Sequence, residues 1–331
     1  MNRRAFILVV TVALGVIVIQ GNPALASDCT RTHTGRVPLS DLGTGTYMGA
    51  PGGLYAGGSN TRPAAHDSAG VSLATNAVKP RNAAGAVDPV NGRMVLASIG
   101  MSNTTQEFQR FMELAQGDPA INPRLTIVDG AQGGQDAIAW SNPGSATWTV
   151  LANRIAAAGA TAPQVQAIWL KQQISGDALG AFPGGAMTLR DRLRDIVTIA
   201  RAKYPNLRIA FLSSRTYGDY HGPVRGKGAY ESAFAVKLLV RDQINGDARL
   251  AFGASGPAPW LAWGPYLWAD GLGGDGLPGG IPGRSDGLEW ACADYQSDGV
   301  HPSASGRNKV AGFLMAFLKN DNAATPWFRS S

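Results

Sequence analysis

From Arg93 onward, short apolar runs alternate with stretches of helical periodicity, and this alternation limits the fold more than any other feature of the chain. Met94-Val95-Leu96-Ala97-Ser98-Ile99, Leu125-Thr126-Ile127-Val128, Val165-Gln166-Ala167-Ile168-Trp169-Leu170 and Leu207-Arg208-Ile209-Ala210-Phe211-Leu212 have the length and composition of buried strands. Thr105 to Ala115, Ala146 to Ala158, Thr188 to Tyr204, Tyr230 to Ile244 and Lys309 to Leu318 read as helices. The clearest is Thr188 to Tyr204, where Leu189, Leu193, Ile196, Val197 and Ala200 share a face and Pro205 ends the run. A fifth strand is expected at Leu250-Ala251-Phe252. Strands alternating with helices predict an α/β fold whose mostly parallel sheet is covered on both faces.

The chain ahead of this pattern divides in two. Asn2-Arg3-Arg4, the apolar run Ala5 to Ile19 and the small-residue site Ala24-Leu25-Ala26 have the layout of a secretory signal peptide over residues 1–26, cleaved after Ala26. The run is short of the about 20 apolar residues a membrane span needs, so no stable span is expected after cleavage, and the protein is expected to be secreted or periplasmic. Residues 27–92 are a Gly-rich arm with turn-forming stretches such as Gly52-Gly53-Leu54-Tyr55-Ala56-Gly57-Gly58 and little periodicity. The arm is too polar to fold alone. It is expected to pack on the 93–331 domain, with Gly52 to His66 bordering the cleft. The two cysteines, Cys29 and Cys292, are expected to form one disulfide, as an even count in an exported chain implies.

Composition removes several classes. Charged residues are 16% and apolar residues 44%, which excludes an acidic disordered chain and a coiled coil. The formal charge of +6 is mild, and no Lys/Arg cluster interleaves with aromatics, so no nucleic-acid partner is expected. Two cysteines and four histidines do not make a structural zinc site, and the Asp270 to Asp286 loop lacks EF-hand spacing, so no metal is expected. No phosphate-binding or dinucleotide fingerprint stands in its required context, and no cofactor is expected.

In parallel sheets chemistry sits at the carboxyl ends of the strands. After the first strand comes Gly100-Met101-Ser102-Asn103. A serine in such a strand-to-helix turn exposes its hydroxyl and leaves its N–H free, which suits a nucleophile; an ordinary helix cap is the plainer reading. After the second strand comes Asp129-Gly130-Ala131-Gln132-Gly133-Gly134, where glycines let backbone approach a ligand. Asp298-Gly299-Val300-His301-Pro302 precedes the last helix. Its Asp can hold the imidazole in one tautomer and make His301 a base for a hydroxyl. Gly283-Arg284-Ser285-Asp286-Gly287 and Gly58-Ser59-Asn60 mimic a nucleophile turn without the preceding strand. Arg215 and Tyr217 follow the fourth strand, and the aromatics between Pro259 and Trp268 suit either core packing or sugar rings.

These blocks, in this order, resemble the SGNH/GDSL hydrolase superfamily, and the first looks most like the Gly-x-Ser-Asn form of sialate O-acetylesterase-like and other carbohydrate esterases. The resemblance spans about residues 93–319. It implies a three-layer α/β/α sandwich with a flavodoxin-like sheet. It implies Ser102 as nucleophile, His301 as base and Asp298 as orienting acid. It also implies an oxyanion hole from the N–H groups of Ser102 and of Gly133 or Gly134. The family's Gly-x-Asn-Asp after the third strand is replaced by Trp169-Leu170-Lys171-Gln172-Gln173. Gln172 is expected to supply the missing donor, and Asn103, Lys171, Arg215 and His66 to contact substrate. The implied function is an exported serine esterase acting on acyl esters, O-acetyl esters of carbohydrate among them, with the ester substrate as its partner. An SGNH-fold binding protein disabled at the third block, or an acyltransferase with the same triad, are the alternatives.

Overall fold

The structure, a computed structural model, describes residues 26–273 and 282–330. The expected leader, apart from Ala26, lies outside the described residues. One parallel sheet is built from β1 (Met94–Gly100), β2 (Leu125–Val128), β3 (Val165–Lys171), β4 (Ile209–Leu212) and β5 (Trp260–Trp263). The spatial order is β2-β1-β3-β4-β5, the flavodoxin-like order, and every neighbouring pair is parallel. β1 and β3 are buried along their whole length, which is why they read as continuous apolar runs without alternation.

The longer helices are α1 (Ala64–Asn76), α2 (Ser102–Gln116), α3 (Ala146–Ala157), α4 (Gly184–Lys203), α5 (Pro223–Ile244) and α6 (Ala304–Asn320). The chain steps one way along the sheet from β1 to β2 and the other way from β2 through β3 to β5. Right-handed crossovers then put α2 on one face and α3, α4 and α5 on the other. In accord with this, α2 packs against α6, and α4 against α5. The result is the α/β/α sandwich. The reversal of direction falls between β1 and β3, so the crevice at their carboxyl ends is the natural ligand site.

One expectation is corrected. Leu250-Ala251-Phe252 is not a strand: Leu250 ends a short helical turn, Ala248–Leu250, and the chain then loops out, closed by the Ala258 N–H on the Ala251 carbonyl. The fifth strand is Trp260–Trp263, in register with Ile209–Leu212. Its tryptophans are buried, as is Trp268, so they are core and not a platform for sugar. β5 ends the sheet, and its outer edge is closed by side chains. Gln243 accepts from the Leu261 N–H (2.7 Å) and donates to the carbonyls of Leu250 and Pro259 (2.9 Å each).

The arm contains a regular element that periodicity did not reveal, the thirteen-residue helix α1. Its residues are mostly small, and Gly70 lies so close under Trp260 that a Cβ there would stand 2.2 Å from the indole. The rest of the arm is bonded to the α/β domain. Leu39 N donates to the Tyr266 hydroxyl (2.8 Å), Trp263 Nε1 to the Leu54 carbonyl (2.8 Å) and Lys237 Nζ to the Pro51 carbonyl (2.7 Å). Cys29 and Cys292 form a disulfide with Cα atoms 5.4 Å apart.

Candidate active site

The tight step from β1 into α2 places Ser102. Gly100 ends β1, and a Cβ there would meet Thr104 Oγ1 at 2.2 Å, so only glycine lets the helix start this close to the strand. Ser102 opens α2, where a backbone N–H has no partner one turn back. Its side chain does not cap the helix; Ser102 Oγ instead lies 2.8 Å from His301 Nε2.

His301 Nδ1 in turn lies 2.5 Å from Asp298 Oδ2. Asp298 Oδ1 accepts from the N–H groups of Val300 and His301, both at 2.9 Å, so the carboxylate folds its own loop around itself. Burial works to raise the Asp298 pKa, but these hydrogen bonds, with that from His301 the strongest, hold it below the ordinary value. The loop needs glycine at 299: φ is +65°, and a Cβ would stand 2.7 Å from the Tyr220 backbone. His221 Nδ1 meets the Asp298 carbonyl at 2.7 Å and braces the loop from below. Asn103 Nδ2 donates to the Val300 carbonyl at 2.6 Å, tying the His301 loop to the serine helix.

The second block is pinned in place. Ser98 Oγ donates to Asp129 Oδ1 (2.7 Å) and receives the N–H groups of Gly130 and Ala131, and Arg154 Nη1 donates to the carbonyls of Asp129 and Ala131. Gln132 N bonds the Gly100 carbonyl. These bonds bring Gly133 beside the serine, where a Cβ would stand 3.8 Å from Ser102 Cβ. Ser102, Asn103, Gly133, Gly134, Gln173, Arg215, Tyr217, Arg225 and His301 share a cleft of about 430 Å³.

Three expected contributors are placed elsewhere. Gln172 Nε2 is spent on the Gln135 carbonyl (3.0 Å), and its Oε1 accepts from the Gln173 N–H, so it is not an oxyanion donor; Gln173 is the glutamine on the cleft wall. Lys171 is fully buried and paired with Glu107 beneath the serine helix, out of reach of a substrate. Burial pulls its pKa down to about 8 against the pull of Glu107. His66 is stacked on Trp260 and bonded to the Leu261 carbonyl (2.8 Å) at the far edge of the sheet. Burial lowers its pKa, as befits a neutral ring in the core. The stretch Gly52 to His66 therefore borders the sheet edge; among the described residues no part of the arm lines the cleft. The arm touches the cleft lining from outside at Arg31, whose carbonyl accepts from the Tyr217 hydroxyl (2.7 Å). Ser59 and Ser285 bond Thr61 and Asp41 and have no histidine partner.

No protein-family model and no curated protein matches the chain. Among solved structures it is similar to a candidate SGNH hydrolase from Slackia heliotrinireducens, at 15% identity, over 69% of this chain and 100% of that one, with a TM-score of 0.34. It is also similar to a candidate acylhydrolase from Bacteroides fragilis, at 12% identity, over 77% and 97%, with a TM-score of 0.37.

The arrangement has the parts of an acyl-transfer site. A hydroxyl faces an imidazole, the imidazole faces a carboxylate, and the backbone of Gly133 lies beside the serine. Arg225 was not singled out in the sequence, and His221 stood there only as a candidate without a partner motif. Their roles depend on how loops after different strands meet, for which a linear pattern carries no signal.

Proposed function

We propose that the protein is an exported serine esterase of SGNH type. The observation that carries this is the unbroken Ser102–His301–Asp298 chain of hydrogen bonds at the switch point of the sheet. Ser102 Oγ attacks the ester carbonyl as His301 Nε2 takes its proton. Asp298 holds the Nδ1 proton and stabilises the imidazolium. The carbonyl oxygen, now an oxyanion, is received by the N–H groups of Ser102 and of Gly133 or Gly134. His301 then gives its proton to the leaving alcohol, and water removes the acyl group by the reverse sequence. The intact chain of hydrogen bonds and a cleft open beside the serine favour catalysis over the reading as a disabled binding protein.

Hydrolysis of short-chain aryl esters by the purified mature protein tests this. Ser102→Ala is expected to cut kcat/KM by at least about 10³-fold while leaving the thermal midpoint near that of the unsubstituted protein. Equal turnover by the variant contradicts the assignment.

A further inference from the structure

The cleft wall is one-sided in charge. Its titratable members among the described residues are Arg215, Tyr217, Arg225 and His301, and no carboxylate is among them. Arg215 follows β4 and is 8% exposed. Its backbone is held by Ser232 Oγ (3.1 Å), yet its Nη1 is buried with no hydrogen-bond partner. The other buried arginine among the described residues, Arg284, is matched to Asp286 and to the carbonyls of Tyr266 and Trp268. The carboxylate whose charge reaches Arg215, Glu107, is already committed to Lys171. Lys171, Glu107 and Arg215 together therefore carry one net positive charge, and Arg225 adds a second at the cleft wall. A guanidinium stays charged inside a protein, and its planar donor fork matches a carboxylate. Arg215 lines the cleft with this donor unfilled, and a buried donor without a partner is a place for an acceptor.

On the reading of the site as an esterase, we infer that its substrates carry a carboxylate on the acyl or the alcohol side of the ester, held by Arg215 with Arg225 as second cation. The carboxylate anchors the ester so that its carbonyl lies over Ser102. A neutral ester of the same shape would meet the guanidinium with an uncharged acceptor and bind less well.

Two matched pairs of esters test this and separate the two sides. The 4-nitrophenyl ester of succinic acid is compared with its neutral methyl succinate counterpart, and 3-acetoxybenzoate with its methyl ester. Binding of each to Ser102→Ala protein is measured by calorimetry, and turnover of each by the unsubstituted protein. The expected result is a preference of about tenfold or more for the anionic member of at least one pair, the size of one charge-assisted hydrogen bond. That ratio should fall towards one in Arg215→Met and be largely kept in Arg215→Lys. No preference in either pair overturns the inference, even where neutral esters are hydrolysed and the esterase reading stands. So does a preference untouched by Arg215→Met. A preference in binding with no turnover of any ester keeps the anion site and removes the esterase reading instead.

Discussion

Ser102 and His301 are nearly 200 positions apart in the chain, and the fold brings them to 2.8 Å. Each half carried a local sign: a serine in a strand-to-helix turn, and an aspartate three positions before a histidine. Such signs survive in a sequence because they depend on neighbours along the chain. The Lys171-Gln172-Gln173 segment carried none. Which glutamine faces the cleft follows from the register Gly100↔Lys171 between β1 and β3, and a shift of one residue reverses the faces. At this scale Asp298 gives the sharper prediction. Asp298→Asn is expected to lower kcat/KM by about 10²–10⁴-fold, because the amide cannot hold the same imidazole tautomer or stabilise its charge. The carboxyl pKa is held below its ordinary 3.8 by the loop and His301, so any stability it adds is present above that value and lost only as pH falls through the lowered one. The loss of activity in the variant should therefore persist from about pH 5 to 8, where the carboxylate of the unsubstituted protein stays ionised. A loss that vanishes within that range contradicts the role.

Among the elements, β1 to β4 were legible because a parallel strand buried on both faces is an apolar run with turn residues at its ends. β5 was hidden by its own composition. Trp260-Leu261-Ala262-Trp263 lies inside a longer aromatic stretch bounded by prolines, and only pairing with β4 separates strand from loop. Helix α1 was hidden for the opposite reason. Its small residues fit beneath Trp260 without forming an apolar stripe, so periodicity had nothing to report. The edge of β5 is where the elements are most dependent on one side chain. Gln243→Ala leaves the Leu261 N–H and the carbonyls of Leu250 and Pro259 without their partner. It should cost about 2–3 kcal/mol, as buried unpaired polar groups do, read as a lower urea midpoint. A midpoint unchanged within error removes Gln243 as the closure of the sheet.

Over the whole molecule, the arm is fastened at its start by the disulfide and along its first residues by two buried carboxylates. Asp270 accepts from the N–H groups of Thr34 and Gly35, and Asp219 pairs with Arg36 at 3.3 Å. Burial pushes Asp219 up to about 6, with Asp270 adding to the rise and Arg36 opposing it. The folded state thus binds a proton that the unfolded chain, with a value of 3.8, releases earlier. Between about pH 4 and pH 6 the ionisation of Asp219 costs the folded state stability, up to about 3 kcal/mol. Asp219→Asn does not ionise, so the thermal midpoint of the variant relative to the unsubstituted protein should rise from pH 4 to pH 7. A constant difference shows that Asp219 titrates normally. That Gly52 to His66 would miss the cleft was not legible in the sequence, because α1, at the edge of β5, left no trace in the hydropathy. The whole assembly aims one serine at one histidine, and covalent labelling with a serine-directed fluorophosphonate, followed by mapping of the adduct, reads that directly. A single adduct on Ser102, lost in His301→Ala, is the expected result. Labelling at Ser59 or Ser285 with none at Ser102, or no labelling of the folded protein, contradicts it.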